Sequence, residues 1–199
     1  MELNQKYETH ISEHKPLGRS ICALPGQYIK VLTRPSITTF AEEKGKATWG
    51  IIWAQFIGLG IICAILQSLG LLILPPNYNS IAGATAGLSS STLLVFSIVF
   101  FAIVEILLTP VSFLAAGGIL FLIARIFGGK GTYREQIYTT LLYGVPMVIL
   151  SYLLFLVPVA GAWLLYLPHI YSLVLLIISM MAVHQFGRGR QSSGRWHSL

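Results

Sequence analysis

Long stretches of this chain carry no charged side chain. The ranges Ala47 to Val104 and Gln136 to Gly187 contain no Asp, Glu, Lys or Arg, and charged residues make up only 10% of the composition. A soluble domain usually carries about 25% charged residues. Uncharged apolar runs of this length suit a hydrocarbon solvent, in which an unpaired ion is costly. The sequence therefore excludes an ordinary soluble domain and predicts an integral membrane protein.

Motifs for enzyme chemistry are also missing. The chain has no His-Glu-x-x-His, no glycine-rich phosphate loop and no Gly-x-Ser-x-Gly elbow. His169 and His184 would lie about 22 Å apart along one helix, too far to share a metal ion. Cys22 and Cys63 form no disulfide framework. We therefore expect no catalytic residue, no metal and no cofactor.

The basic residues, in contrast, are concentrated in three clusters. Of the thirteen Lys and Arg residues, seven precede Trp49, three lie between Arg125 and Arg134, and three lie in the tail. Because these residues flank apolar spans and form no separate basic domain, we expect no nucleic-acid partner. Four spans would place all three clusters, and both termini, on the same side of the membrane. By the positive-inside rule this side is the cytoplasm. There they would face anionic head groups of the bilayer.

The apolar segments predict an all-α, polytopic transmembrane helix bundle with kinked helices. We expect four spans, at about 49–74, 93–127, 136–157 and 162–186. Pro110 and Pro146 predict kinks. A break at Pro168 would leave either a short re-entrant piece at 162–167 or five short spans instead of four. The flanking segments, 1–24 and 187–199, are predicted to be a disordered cytoplasmic N-terminus and a basic disordered tail.

Glu105 is an acid inside an apolar stretch, and such a carboxylate is a functional hypothesis by default. It lies about 30 Å along a helix from Arg125, which places it at the outer interface if Arg125 marks the inner one. A deeper Glu105 would need a partner, and His169 is the candidate at that depth. His184 is expected at the inner interface, beside the basic tail.

The segment before the first span holds two further signals. Thr39-Phe40-Ala41-Glu42 fits a capping box that opens a helix leading toward that span. Residues 25–34 mix apolar and basic side chains. They predict either a plain linker or a helix on the inner leaflet, with Tyr28 and Leu32 inserted and Lys30 and Arg34 near the head groups.

Several segments, taken in order, resemble the Yip domain family. The first is Val31-Leu32-Thr33-Arg34-Pro35, with Phe40 shortly before a Trp-led span. The second, Arg125 to Tyr133, contains a Gly-Gly-Lys-Gly loop, and a Tyr-Gly-Val-Pro segment and a final His follow. The resemblance covers roughly Gly26 to Arg188 and predicts a Yip-like membrane domain at 25–186. The matching residues that we take as functional candidates, besides Glu105, are Gly128, Gly129, Lys130, Tyr143, Pro146 and His184.

The resemblance implies a multi-pass membrane protein with a role like those of the family, which is named for interaction with Ypt/Rab GTPases. The short basic N-terminus favours a prokaryotic member in the plasma or inner membrane. We expect a non-enzymatic protein that organises membrane or recruits a protein partner through its N-terminus and the 128–135 loop, with a homo-oligomer left open. The alternative is a small oligomeric transporter or channel that uses Glu105 and the proline-kinked helices. The glycine loop itself has two possible roles: a tight turn whose charges set the membrane topology, or a ligand site.

Overall fold

A computed structural model describes residues 17–74, 76, 89–157 and 161–185. Every regular element in these ranges is a helix, which confirms the all-α fold. In chain order the helices are α1 (Leu17–Thr33), α2 (Ile37–Lys44), α3 (Trp49–Ile73), α4 (Ser90–Ile126), α5 (Tyr133–Phe155), α6 (Gly161–Leu164) and α7 (Tyr166–His184).

Within the described ranges, four helices are long and apolar enough to cross a membrane: α3, α4, α5 and α7. The shortest of them, α7, has 19 residues. At about 1.5 Å per residue it matches a hydrocarbon core roughly 30 Å thick. The prediction of a polytopic helix bundle is therefore confirmed, with four helices as candidate spans.

The prolines do not divide the spans. Helix α4 runs for 37 residues through Pro110, and α5 continues through Pro146. A proline removes one main-chain donor, but the neighbouring hydrogen bonds and the packing of adjacent helices allow a helix to continue. The expected break near Pro168 falls earlier, between Leu164 and Tyr166. Pro168 then lies in the first turn of α7, where an N–H has no partner within the helix.

Two predictions about the N-terminal segment were wrong. Residues 17–24 are helical rather than disordered, because α1 already begins at Leu17. Thr39 is not the cap of α2: Ser36 is the N-cap, and its Oγ accepts the Thr39 N–H at 3.0 Å. Helix α2 also ends before α3, which has its own N-cap at Thr48. Residues 1–16, most of the polar loop after Pro76 and the basic tail lie outside the described residues.

Both N-terminal helices pack against the spans. Phe40 of α2 is fully buried, and its ring lies edge-on to Tyr143 of α5 at a centroid distance of 6.3 Å. Leu24 and Val31 of α1 belong to the same buried cluster, together with Phe56 of α3. A buried core therefore joins the N-terminal helices to α3 and α5 near one end of the bundle. We call this end the basic end, because it holds Lys30, Lys44, Lys46, Arg125, Lys130 and Arg134.

Toward the other end, α3 and α4 pack closely where a glycine allows it. A Cβ on Gly60 would lie 3.2 Å from the Cα of Ile106, so the two backbones nearly touch. Small residues permit this approach between membrane helices, which have little hydrophobic driving force between them. The outward side chains of both helices, such as Ile57 and Leu107, remain exposed and suit contact with lipid.

Candidate functional site at the basic end

The glycine loop begins with a tight helix stop. The N–H groups of Gly128 and Gly129 donate to the carbonyls of Arg125 and Ala124, at 3.0 and 2.8 Å. Gly128 has a φ of +79°, a conformation that favours glycine. These two bonds and the left-handed residue make a Schellman motif, which satisfies carbonyls at the end of α4. This part of the loop is the tight turn that the sequence predicts.

The rest of the loop lies against the end of α7. A Cβ on Gly129 would lie 2.6 Å from Nδ1 of His184, and a Cβ on Gly131 would lie 2.7 Å from the carbonyl oxygen of Val183. The N–H of Lys130 donates to the carbonyl of His184 at 3.3 Å. Glycine is therefore required here for close approach as well as for turning. The side chain of Lys130 itself is exposed.

His184 is the residue around which this loop closes. It is only 1% exposed, and its Nε2 lies 3.0 Å from Oε1 of Gln136, so Nε2 donates to the amide oxygen. Its ring also lies 6.0 Å from that of Phe121 on α4. The position of His184 at the inner interface stays a prediction, but the burial of its side chain was not anticipated from the sequence. The side chain is enclosed because α4, α5 and the glycine loop converge on the last turn of α7.

Helix α2 reaches the same helix end. Nζ of Lys44 donates to the carbonyls of Ala182 and Val183, at 3.2 and 3.3 Å. The last carbonyls of a helix lack partners within the helix and carry partial negative charge. A lysine ammonium therefore both satisfies them and balances that charge. This contact ties the N-terminal segment to the last span.

Next to this contact, a buried carboxylate joins α1 to α2. Glu43 is 1% exposed and accepts from Lys30 at 3.1 Å and from Lys46 at 2.7 Å. Lys30 also pairs with the exposed Glu42 at 2.7 Å. Hydrogen bonds to Glu42 and Glu43 raise the pKa of Lys30, and the same bond to Lys30 lowers the pKa of Glu42. The ion pairs therefore hold the two short helices together.

Tyrosine hydroxyls complete the attachment of α1. Tyr28 donates to Oε1 of Gln55 at 3.1 Å, and Tyr171 of α7 donates to the carbonyl of Leu32 at 2.7 Å. Tyr138 of α5 donates to Gln27 at 3.0 Å. Burial raises the pKa of Tyr28 to about 12. Tyr28 and Leu32 pack against the buried core. Neither alternative for residues 25–34 therefore holds: the segment is not a plain linker, and these two side chains do not insert into lipid.

The remaining candidates lie elsewhere. Tyr143 is buried within α5, and its ring contacts that of Phe40 on α2. Pro146 is half-buried further along α5. The structure therefore brings together Gly128, Gly129, Lys130 and His184, and it leaves Pro146 apart.

Glu105 lies nearer the middle of α4 than either end of that helix, far from the basic end. Its Oε1 accepts from Thr109 at 3.3 Å, and Tyr152 of α5 also interacts with it. The expected partner, His169, instead contacts the carbonyl of Leu165 at 2.6 Å. The placement of Glu105 at the outer interface and its use in transport stay predictions.

Sequence reasoning overlooked four residues of this site: Glu43, Lys44, Gln55 and Gln136. The glutamines carried a signal, because each is a polar residue in a stretch without charge, where a polar group requires a partner. Glu43 and Lys44 carried none, since adjacent charges before a span are normally solvated.

Over the part of the chain that the structure describes, all elements are helical, four of them could span a membrane, and the N-terminal helices close one end. This is the architecture of a polytopic membrane protein. The family model described as Yip1 domain matches residues 29–193. The chain therefore belongs to the Yip1 domain family. Searches of curated proteins and of solved structures return no significant match. The family match begins within α1, so helix α2 and its contacts with α7 are part of the domain.

The contact between the glycine loop and α7 predicts that Gly129→Ala destabilises the protein. The added methyl group would overlap His184, and we expect a loss of about 2 kcal/mol, as for other overpacked sites. The measurement is the midpoint of thermal unfolding in detergent. Gly118→Ala is the matched control, because the nearest atom to its Cβ, on Tyr133, is 4.0 Å away. Equal midpoints for the two variants would contradict the contact.

The buried carboxylate predicts an asymmetry between its partners. Removing both lysines, as Lys30→Met with Lys46→Met, leaves Glu43 buried and unpaired, and we expect a loss of about 3 kcal/mol. Glu43→Gln should cost less, because both lysines are about half exposed and stay hydrated. Adding Glu43→Gln to the double lysine variant should restore stability in the same unfolding assay. A triple variant no more stable than the double would refute this account.

Proposed function

We propose that this protein is a non-enzymatic membrane organiser whose basic end faces the cytoplasm, gathers anionic lipid and presents a docking surface to a protein partner. The observation that carries the proposal is the division of α1 into three faces. One face packs on the bundle, a second is apolar and exposed, and the third is basic. A helix with these faces suits the boundary between protein, lipid and head groups.

The faces follow from the helical repeat of about 100° per residue. Leu24 and Val31 are buried against the bundle. Ile21 and Ile29, on the adjoining face, are 39% and 63% exposed, although both are large apolar residues. Such side chains in a membrane protein suit contact with acyl chains near the surface. Arg19 lies on the third face and is exposed.

The basic charges favour anionic head groups at this end. Arg125, Lys130 and Arg134 are all exposed, and they lie on three separate parts of the basic end: the last turn of α4, the glycine loop and the first turn of α5. A basic residue close to an anionic leaflet contributes roughly 1 kcal/mol to the attraction. The attachment of α1 to α3, α5 and α7 supports a preformed surface, on which a protein partner of negative charge would also bind.

The proposed orientation predicts that both termini are cytoplasmic. A cysteine reporter placed at either terminus of a Cys22→Ser, Cys63→Ala background should resist a membrane-impermeant maleimide in intact cells and react after permeabilisation. A reporter at Ser80, which lies in sequence between the first two candidate spans, is the control and should react without permeabilisation. Labelling of either terminus in intact cells would contradict the orientation.

Lipid gathering predicts a preference for anionic lipid next to Trp49 and Trp53, which are 44% and 48% exposed near the basic end. The other two tryptophans are replaced, as Trp163→Phe and Trp196→Phe. In mixed vesicles, brominated phosphatidylglycerol should then quench the remaining fluorescence more strongly than brominated phosphatidylcholine. Lys130→Gln and Arg134→Gln should each reduce the preference by up to about fivefold, corresponding to roughly 1 kcal/mol per charge.

The control for that measurement is His169→Gln, which alters a residue at the far end of the bundle. It should leave the lipid preference unchanged. Two results would overturn the proposed gathering of anionic lipid. One is equal quenching by the two lipids when Lys130 and Arg134 are intact, and the other is a lipid preference that survives the loss of both charges.

A further inference from the structure

A groove lies between α3, α5 and α7 at the end of the bundle opposite the basic end. Its volume is about 260 Å³, and it is lined by Gln67, Ser151, Tyr152, Phe155, Leu165 and His169. A second cavity of about 190 Å³ shares Gln67, Tyr152 and Phe155 with it and extends along Gly70 and Leu156. The two cavities therefore adjoin, and polar side chains from three helices meet in a largely apolar channel.

The polar groups of this groove are suited to accept a hydrogen bond. His169 Nδ1 lies 2.6 Å from the carbonyl of Leu165, and since a carbonyl only accepts, Nδ1 carries the proton. In the neutral ring Nε2 is then an acceptor. The hydroxyl of Ser151 already donates to the carbonyl of Met147 at 2.9 Å, which leaves its oxygen able to accept. Gln67 adds an amide with both an acceptor and donors.

The charge around the groove selects against an anionic ligand. Neither cavity has a Lys or Arg among the residues that line it. Tyr152, which belongs to both linings, also interacts with Glu105, so the nearest ionisable acid lies just behind the wall. A phosphate group here would find no counter-charge among the lining residues, in a region where low polarity makes an unpaired anion costly.

The walls favour an acyl chain over a water-soluble ligand. Leu66, Leu71, Phe155, Leu156 and Leu165 supply apolar surface, and each lies in a candidate spanning helix or directly beside one. We propose that this groove binds an uncharged membrane lipid with a free hydroxyl head group, the chemistry of a diacylglycerol. The hydroxyl donates to Nε2 of His169 and accepts from the amide of Gln67, and the acyl chains lie along the apolar wall. This site is independent of the function proposed for the basic end.

The test uses the full chain in phosphatidylcholine vesicles that contain a trace of one photoreactive lipid. The three probes are diacylglycerol, phosphatidylcholine and phosphatidylglycerol with the same photoreactive chain. Diacylglycerol should label the segment around Tyr152 and Phe155 about threefold more strongly than phosphatidylcholine, the effect of roughly one net hydrogen bond. An excess of unlabelled diacylglycerol should compete.

Variants distinguish a binding site from the ordinary lipid shell. Gln67→Leu and His169→Leu keep the groove apolar, and each should reduce diacylglycerol labelling to the level of phosphatidylcholine. Ser68→Ala and Ser172→Ala are matched controls on the same two helices, because their hydroxyls donate at 2.7 Å to the carbonyls of Ala64 and Pro168 in their own helix. Labelling of the controls should match that of the unaltered chain.

Any of three results would overturn the proposal. The first is equal labelling by all three lipids, and the second is preferential labelling by phosphatidylglycerol. The third is labelling by diacylglycerol that neither substitution reduces, in protein that elutes as a single folded species. If one variant fails to fold, the other still decides, because Gln67 and His169 lie on different helices.

Discussion

The carbonyl end of α7 is the place where distant parts of this chain meet. A helix end inside a protein must satisfy its last carbonyls with other donors. Here the donors come from Lys44, far back in the sequence, and from the main chain of Lys130 in the central loop. If this end were exposed to water, neither contact would be needed. Because α2 and the glycine loop converge on it, the basic end becomes a packed layer.

That layer explains why ionisable groups are buried in a chain with so few. Glu43 and His184 are each only 1% exposed. Glu43 is paired with Lys30 of α1, and His184 is hydrogen-bonded to Gln136 of α5. A charge buried in this way contributes little net stability, but removing its partner is costly. The basic end therefore acts as one unit, in which the positions of α1, α2 and the glycine loop depend on each other. A surface built so is suited to recognition.

The sequence supported some of these features and not others. The spans were predictable, because hydrocarbon excludes charge and the limits of the uncharged stretches follow from composition. The Gly-Gly-Lys-Gly turn was predictable as well, since Gly128 adopts a conformation that other residues avoid. The positions of Tyr28 and Leu32 were not. A helix with apolar and basic residues has the same sequence pattern whether its apolar side contacts lipid or protein. Only the packing of neighbouring helices determines which of the two it contacts.

By itself, the sequence determined the class of protein, the four apolar helices and the segregation of positive charge between them. Each of these depends on local composition, and the cost of placing charge in hydrocarbon makes composition decisive. Only the tertiary structure decided that Gly129 and Gly131 lie against α7, that Glu43 is buried between two lysines, and that Gln67 and His169 line one groove. These pairings join residues from different helices. They depend on how helices pack, which no local pattern records.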